Sequence, residues 1–598
     1  MNTLSFDITS LQEAYSNGSI TVSEVIEETL KRIEAGDSKI WISLDSRENL
    51  LKQANQLEAK APSSLPLYGI PFAVKDNIDV ANLPTTAACP DYKRFAEEDA
   101  TVVALLKAAG AIPIGKTNLD QFATGLVGVR SPYGVPGNSF NPKYIPGGSS
   151  SGSAVSVALG QVSFSLGTDT AGSGRVPACF NNLVGLKPSR GLLSNYGVIP
   201  ACKSLDCVSI FSLNASDAQA VLRIAGSFDN KDPYSRSAPT ELQSTRAFAR
   251  PKMKFGVPSP EQLNFFGDSQ YQELFLKTVK RLEDLGHEAI IVDIKPMLAA
   301  ARLLYEGPWV AERYWAIREL IENAPDVLHP ITKTIIEKGI DHTSVDTFDA
   351  LYKLQALRQT AQTVWENIDF MVTPTAGTHY TIAEVESNPI ELNSNLGYYT
   401  NFMNLLDLSS VATPTGFTDS GMPFGITLIG QAFEDEKLLA LSHELQTASD
   451  LPLGATQHKR FPEPKKPVFE TLPIAVCGAH LSGLPLNHQL TSLGATLSVK
   501  TKSKGCYRLF ALPGTTPPKP GMIRDDAEGA AIEIEIWDLP KTQWAHFIDC
   551  IPSPLGIGNI ELEDGSFVKG FSCETWATEG AKEVTHFGGW RAYLNSIA

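Results

Sequence analysis

The sequence lacks three features that would each suggest a definite class of protein: a long apolar segment, paired cysteines and an excess of basic residues. No uninterrupted apolar run reaches about 18 residues, so we expect no membrane-spanning helix. The eight cysteines are dispersed with no C-x-x-C spacing, which argues against a zinc site and favours reduced thiols. The 50 Lys and Arg residues against 66 Asp and Glu give a net charge of -16, which disfavours nucleic acid and anionic membranes as partners. The first residues also lack a basic segment followed by an apolar core, so we predict a cytoplasmic protein that acts on small molecules.

The composition that is present is that of a globular enzyme, since 43% of the 598 residues are hydrophobic and 19% are charged. Residues 21–24 match a capping box before an amphipathic helix. Short apolar runs such as residues 69–74 and 111–115 then alternate with helical patterns such as residues 101–109. This alternation predicts an α/β layer structure.

The pattern breaks near residues 458–468, where three prolines and four basic residues occur within a few positions. Beyond this point the chain is rich in predicted strands, with strict alternation over residues 531–537 and a hairpin turn at Asp564-Gly565. We therefore predict a domain over residues 1–458, a linker over residues 459–468, and a smaller α+β domain over residues 469–598.

The most unusual segment is residues 146–155, in which glycines and serines run into a helix of small residues. A flexible linker is one interpretation, but the apolar residues that follow argue for order. A phosphate-binding loop needs a lysine after its second glycine, and none is present. Residues 148–152 also match the G-x-S-x-G pattern of a nucleophile elbow around Ser150, yet the two prolines in residues 141–146 argue against the strand which that elbow requires.

A second segment, residues 167–177, follows a strand-like run and turns tightly through Ser173. Such a turn holds backbone N–H groups in a cluster that can receive a developing oxyanion. A serine nucleophile needs a base, and the first histidine in the chain is His287. Lys75 follows an apolar strand, where burial would lower its pKa toward a neutral amine, so we predict that Lys75 is the base.

Three segments together resemble the amidase signature family: Lys75 after its strand, residues 147–150 (Gly-Gly-Ser-Ser), and residues 169–175 (Asp-Thr-Ala-Gly-Ser-Gly-Arg). The resemblance implies an α/β fold with a mixed central sheet flanked by helices. It also implies a catalytic Ser-Ser-Lys triad of Lys75, Ser149 and Ser173, in which Ser173 attacks an amide and Ser149 relays its proton to neutral Lys75.

One departure from the family pattern is residues 151–152, which are Ser-Gly where the family often has Gly-Gly, and Ser150 remains an alternative to Ser149. The resemblance further implies an oxyanion hole formed by backbone N–H groups. Its predicted donors are Thr170, Ala171, Gly172 and Ser173.

Within that family, residues 122–134 and 202–208 resemble the allophanate hydrolases, as does the length of the chain with its appended C-terminal domain. The resemblance implies that Tyr305 and Arg313 hold the carboxylate of the substrate, and a guanidinium offers a fork of donors that matches a carboxylate. The structural alternative is that Arg313 pairs with a nearby acid, such as Glu312 or Glu319.

The C-terminal domain has weaker motifs. The resemblance implies that this domain decarboxylates N-carboxycarbamate and that His480 takes part, although a histidine with a purely structural role is the usual explanation of such a residue. Arg508, Arg524 and Arg591 are candidate ligands for a dianion, with solvated surface cations as the alternative. The implied overall reaction converts allophanate to ammonia and carbon dioxide in urea degradation. A urea carboxylase is then the functional partner, and we expect a homodimer with no metal or organic cofactor.

Several alternatives to this interpretation stay open. The chain can be an amidase for another small carboxamide, with a C-terminal domain that only binds or dimerises. A tRNA-dependent transamidase is disfavoured by the net charge of -16, and a lipid-amide hydrolase by the lack of an apolar docking segment.

Overall fold

The computed structural model describes residues 4–238, 252–459, 462 and 471–597. The described residues form two compact units, the first ending at residue 462 and the second covering residues 471–597. Of the predicted linker, only Lys459 and Pro462 are described, so the boundaries at 458 and 469 stay predictions.

The first unit contains a large sheet with helices packed around it. Its strands are β1 (Trp41–Leu44), β2 (Pro71–Lys75), β3 (Pro84–Thr85), β4 (Arg94–Phe95), β5 (Ile112–Thr117), β6 (Phe164–Asp169), β7 (Val184–Lys187), β8 (Cys207–Ser212), β9 (Lys254–Pro258), β10 (Glu288–Val292), β11 (Phe370–Pro374), β12 (Leu408–Phe417) and β13 (Pro423–Gln431). Its α-helices are Ile8–Ser16, Val22–Glu34, Arg47–Glu58, Thr101–Ala108, Ser151–Ala158, Val176–Phe180, Ala215–Ala225, Ser269–Asp284, Lys295–Glu306, Trp309–Ala316, Arg318–Asn323, Pro330–Glu337, Ser344–Gln362, Ile382–Ser387, Glu391–Leu396, Phe402–Leu405 and Asp435–Ser449.

Eleven of these strands form one sheet in the order β1-β5-β2-β6-β8-β7-β12-β13-β11-β9-β10. Strand β2 runs parallel to β5 and β6, whereas β6 runs antiparallel to β8. The sheet is therefore mixed and flanked by helices, which confirms the predicted fold class. The predicted capping box is also present, since Thr21 and Glu24 exchange hydrogen bonds at the start of Val22–Glu34.

The centre of the sheet places the chemistry-bearing residues together. All residues of β2 and β6 are buried, and Phe72 stacks on Phe164 across the two strands with ring centroids 5.0 Å apart. Because β2 and β6 are parallel, with Val74 opposite Leu166, their carboxyl ends meet at one edge. Lys75 ends β2 at this edge, and Thr168 lies beside it near the end of β6.

The second unit has its own core and two sheets. The strands are β14 (Thr471–Val476), β15 (Thr496–Lys502), β16 (Tyr507–Ala511), β17 (Pro520–Arg524), β18 (Glu533–Pro540), β19 (Leu555–Glu561), β20 (Phe567–Cys573) and β21 (Lys582–Glu583), and the α-helices are Asn487–Thr491, Trp544–Asp549 and Trp590–Ile597. The two sheets have the strand orders β15-β18-β14-β20-β19 and β17-β16-β21. The predicted hairpin is confirmed, since Gly565 adopts a φ of 83° between β19 and β20. Among all described helices of the chain, none combines the length and the apolar character that crossing a membrane requires.

Candidate active site

Lys75 lies at the centre of the candidate site, completely buried. Its Nζ is 2.8 Å from Ser149 Oγ and 2.8 Å from Thr168 Oγ1. The pKa of Lys75 is lowered from 10.5 to about 7, chiefly by burial and to a smaller extent by the positive charge of Arg313, while three carboxylates oppose the shift. A large part of the Lys75 amine is therefore neutral near pH 7, as a base requires.

The serine segment after residue 146 presents one of its hydroxyls to Lys75. Ser149 follows a cis peptide bond from Gly148 and directs its Oγ at the lysine, whereas the Ser150 hydroxyl donates to the carbonyl oxygen of Thr168 at 3.2 Å. Ser149 rather than Ser150 thus contacts the predicted base. The helix Ser151–Ala158 follows directly with every residue buried, which is incompatible with a flexible linker.

The turn after β6 is held by a buried ion pair. The Asp169 carboxylate accepts from Arg175 Nε and Nη2 at 2.9 Å each, and from the N–H groups of Gly172 and Gly174 at 2.9 Å. Asp169 and Arg175 therefore brace the turn. The Gly172 N–H is already used by this carboxylate, so the structure does not support Gly172 among the predicted oxyanion donors.

The other predicted donors of the turn remain available. Within the described part of the chain, the backbone N–H groups of Thr170, Ala171 and Ser173 form no hydrogen bond to protein. The turn itself is fixed from outside, since the Thr170 hydroxyl donates to Asp206 at 2.5 Å and Thr400 Oγ1 donates to the Ala171 carbonyl at 2.6 Å. Free donors on a rigid turn are the requirement for stabilising an oxyanion.

Tyr305 and Arg313 lie on neighbouring helices, Lys295–Glu306 and Trp309–Ala316. The Arg313 Cζ is 5.6 Å from the centre of the Tyr305 ring, and the arginine side chain is buried with 2% exposure. Tyr305 lies in the last turn of the helix Lys295–Glu306.

The charge of Arg313 has no ion-pair partner among the described residues. No carboxylate oxygen of these residues lies within 4.0 Å of its nitrogens, and Glu312 instead accepts from the N–H and hydroxyl of Ser204 at 2.7 Å each. The structural alternative for Arg313, pairing with Glu312 or Glu319, is therefore not observed. Its Nε is buried without a hydrogen-bond partner. A buried guanidinium in this state is stabilised by an anionic ligand.

Sequence reasoning missed several residues that shape the site. Thr168 contacts Lys75, and Asp120 and Asp206 are the carboxylates with the largest opposing effect on the Lys75 pKa. Burial raises the pKa of Asp206 itself to about 6. Asp206 lies within residues 202–208, which resemble the corresponding segment of the allophanate hydrolases. No sequence motif around Asp120 indicated that this carboxylate lies near Lys75.

In the second unit, His480 lines a cavity of about 220 Å³. Its Nε2 is 2.8 Å from Gln489 Oε1, and its ring stacks on Phe571 with centroids 5.0 Å apart. Burial lowers the His480 pKa, and Lys519, which also lines the cavity, lowers it further. The imidazole is therefore neutral near pH 7.

The three arginines considered as ligands for a dianion are paired with carboxylates. Arg508 contacts Glu583 at 2.5 Å, Arg524 contacts Glu561 at 2.9 Å, and Arg591 contacts Glu535 at 2.7 Å. Their charges are thus already neutralised. Among the described residues that line the His480 cavity, Lys519 is the only lysine or arginine.

Comparison with known proteins agrees with this geometry. The model of the amidase family matches residues 24–439, and that of the allophanate hydrolase C-terminal domain matches residues 472–595. The chain belongs to the amidase family, as the motifs predicted, and is an amidohydrolase that acts on carbon–nitrogen bonds.

Two groups of relatives are similar in sequence. The urea amidolyase of Saccharomyces cerevisiae is 45% identical over 93% of this chain and 31% of that protein, so this chain spans about a third of that relative. A glutamyl-tRNA(Gln) amidotransferase subunit of Exiguobacterium sibiricum is 32% identical over 75% of this chain and 98% of that protein. Among solved structures, Kluyveromyces lactis allophanate hydrolase is 41% identical with a TM-score of 0.89, covering 99% of both chains.

Proposed function

We propose that this chain hydrolyses allophanate to ammonia and carbon dioxide. In the first unit, water replaces the terminal amino group of allophanate, which leaves as ammonia, and N-carboxycarbamate remains. In the second unit, N-carboxycarbamate takes up a proton and loses carbon dioxide to give carbamate, which breaks down to ammonia and a second carbon dioxide. The likeness to K. lactis allophanate hydrolase along almost the whole chain supports this proposal.

The observation that carries the substrate class is the buried, unpaired guanidinium of Arg313. A buried cation without a carboxylate partner is costly until an anion binds, so the site favours a substrate with a negative charge. Allophanate is a small planar carboxylate that carries an amide. The Tyr305 ring lies 5.6 Å from the guanidinium and limits the space for that carboxylate.

The proposed chemistry of the first unit uses Ser173 as the nucleophile. Ser173 attacks the amide carbonyl while its proton passes to Ser149 and then to neutral Lys75, whose Nζ lies 2.8 Å from Ser149 Oγ. The free N–H groups of Thr170, Ala171 and Ser173 stabilise the oxyanion, each donor contributing about 3 kcal/mol to the transition state. The lysine returns the proton to the leaving amine, and water then hydrolyses the acyl-enzyme.

The proposed chemistry of the second unit takes place in the cavity at His480. The product of the first step is a dianion, and Lys519 supplies the one positive charge among the described residues that line this cavity. The nitrogen of the dianion takes up a proton as carbon dioxide is lost, and His480, held by Gln489, relays that proton from solvent: the neutral imidazole first accepts a proton on its free ring nitrogen and then donates it.

The substrate proposal is tested by ammonia release from allophanate, biuret, malonamide, acetamide and urea. We expect kcat/KM for allophanate to exceed that for biuret by about 100-fold, because biuret lacks the carboxylate that Arg313 binds. Equal or greater activity on the neutral amides would refute the substrate and retain the amidase chemistry. The matched variants Ser173→Ala and Lys75→Met should each abolish ammonia release.

A second candidate function keeps the amidase chemistry with another small carboxamide and no reaction in the second unit. It is supported by the likeness of the first unit to the amidotransferase relative. The His480→Asn variant distinguishes the two candidates when the early release of carbon dioxide and ammonia is followed together. Unchanged enzymatic carbon dioxide release in His480→Asn would favour a second unit that only binds or dimerises.

We also propose a cytoplasmic homodimer supplied by a urea carboxylase, since carboxylation of urea yields allophanate. The dimer proposal is supported by apolar side chains that the helix Ser344–Gln362 exposes, including Phe348 at 57% and Tyr352 at 71%. Sedimentation of the wild type and of Phe348→Asp tests it. A wild type that sediments as a monomer would refute the dimer.

A further inference from the structure

Two arginines of the described chain are almost fully buried without a carboxylate within 4.0 Å, namely Arg313 and Arg130, which is 1% exposed. Within the described chain, the Arg130 side chain forms no hydrogen bond with Lys75, Ser149 or Ser173. Its Nη1 donates to the Thr124 carbonyl at 3.0 Å, its Nη2 donates to the Pro389 carbonyl at 2.7 Å, and its Nε is buried without a partner.

Both arginines bind one turn of the chain, residues 123–125. Arg313 Nη1 donates to the Ala123 carbonyl at 3.3 Å and to Thr124 Oγ1 at 3.1 Å. Thr124 thus binds both arginines, since its carbonyl accepts from Arg130 Nη1. Only Nη1 of Arg313 bonds to protein within the described chain. The turn is therefore the single hydrogen-bonded support of the Arg313 guanidinium.

The turn needs external support because its backbone is strained. Phe122 and Ala123 adopt φ angles of 51° and 53°, a left-handed conformation that costs non-glycine residues roughly 1–2 kcal/mol each. Beneath the turn, the Asp120 carboxylate accepts from the N–H of Arg130 at 2.9 Å. A Cβ on Gly125 would lie 2.6 Å from Asp120 Oδ2 and 3.2 Å from Arg130 Nη1, so the turn lies directly on these two side chains.

We propose that Arg130 is a positioning residue for the substrate carboxylate, a role that rests on the proposed function. It fixes the turn at residues 123–125 so that Arg313 uses one nitrogen to bind protein and keeps Nε for the anion. Arg130 thus selects an anionic substrate by acting through Arg313 and without touching the reacting atoms.

The test compares Arg130→Gln with the wild type on allophanate and on biuret, which has the same shape but a neutral carboxamide. We expect KM for allophanate to rise about tenfold with kcat within about threefold, and kcat/KM for biuret to stay within about threefold. Arg130→Lys should restore part of the loss, since it keeps the charge but lacks the planar fork. A parallel fall with both substrates would overturn the proposal, because a general packing defect does not distinguish a carboxylate from an amide.

A double-variant cycle tests whether Arg130 acts through Arg313. In an Arg313→Gln background, Arg130→Gln should change KM for allophanate by less than about twofold, and full additivity would overturn the route through Arg313. If Arg130→Gln does not fold, Thr124→Val removes the hydroxyl acceptor of Arg313 and leaves the carbonyl for Arg130. An unchanged KM in Thr124→Val would overturn the role of the turn.

The wild-type measurements separate the two proposals. A wild type that does not prefer allophanate to biuret refutes the proposed function, and this inference falls with it. A wild type that prefers allophanate, with a preference that Arg130→Gln leaves intact, refutes only the role of Arg130.

Discussion

The activity of this chain should rise with pH through an apparent pKa near 7, because Lys75 must be neutral to act as a base. Burial lowers the Lys75 pKa from 10.5 to about 7. A lysine with the lower pKa is about 90% neutral at pH 8, against about 0.3% for an ordinary lysine, a gain of roughly 300-fold in the active form. The net shift corresponds to roughly 5 kcal/mol against the charged form of Lys75, and below pH 7 this amount lowers the free energy of unfolding.

Two neighbouring charges predict opposite displacements of this pH profile. Arg313 lowers the Lys75 pKa and Asp206 raises it. Arg313→Gln should therefore move the rising limb upward by about half a unit to one unit, and Asp206→Asn should move it downward by a similar amount. The pH at which the rising limb has its midpoint does not depend on the maximal rate. A variant that loses kcat for another reason therefore still reports the displacement of the pKa.

The assay is kcat/KM for ammonia release between pH 5 and 10, which reports groups of the free enzyme. A rising limb at pH 9 or above would refute the lowered Lys75 pKa. Disappearance of the limb in Asp206→Asn would assign it instead to Asp206, whose own pKa is about 6. Displacement of both variants in the same direction would refute the electrostatic argument.

The other predictions concern stability, the relay and the second unit. Lys75→Met should be inactive yet more stable than the wild type in thermal unfolding near pH 7.5. Between pH 7 and 10.5 the unfolded wild type binds more protons than the folded wild type, so the stability of the wild type rises with pH. The difference in stability between the variant and the wild type should therefore shrink toward pH 10. Ser149→Ala should lower kcat at least about 1,000-fold and Ser150→Ala less than about tenfold, since only the Ser149 hydroxyl contacts Lys75; the reverse order would contradict the relay. Lys519→Met and His480→Asn should each keep the first release of ammonia and reduce early carbon dioxide release to the spontaneous rate, as measured by stopped flow, and an unchanged rate would exclude these residues.

The sequence could predict those residues of the site whose position follows from the segment directly around them. Lys75 follows a fully buried strand, so its burial follows from the apolar run before it. The contact between Lys75 and Ser149 came from the family motif and not from periodicity. The sequence could not show that the Asp169 carboxylate binds the Gly172 N–H, which is among the predicted oxyanion donors.

The supporting residues of the site could not be predicted, because they act through contacts distant in sequence. Arg130 bonds to Pro389, 259 positions away, and the left-handed residues at the turn it supports, Phe122 and Ala123, are not glycines that would mark them in the sequence. The same limitation applies in the second unit, where Arg508 pairs with Glu583, 75 positions away. Composition alone left that arginine as a candidate ligand.

The long-range supports of the catalytic turn determine when the growing chain can become active. Thr400 and Asn404 bind the carbonyls of Ala171 and Asp169, 229 and 235 positions away. In the sheet, β11 pairs with β13, which ends at Gln431 and lies between β11 and the central strands. A nascent or truncated chain that stops before residue 400 carries Lys75, Ser149 and Ser173 but lacks these two supports of the turn. We therefore expect full activity only after nearly the whole first unit has been synthesised.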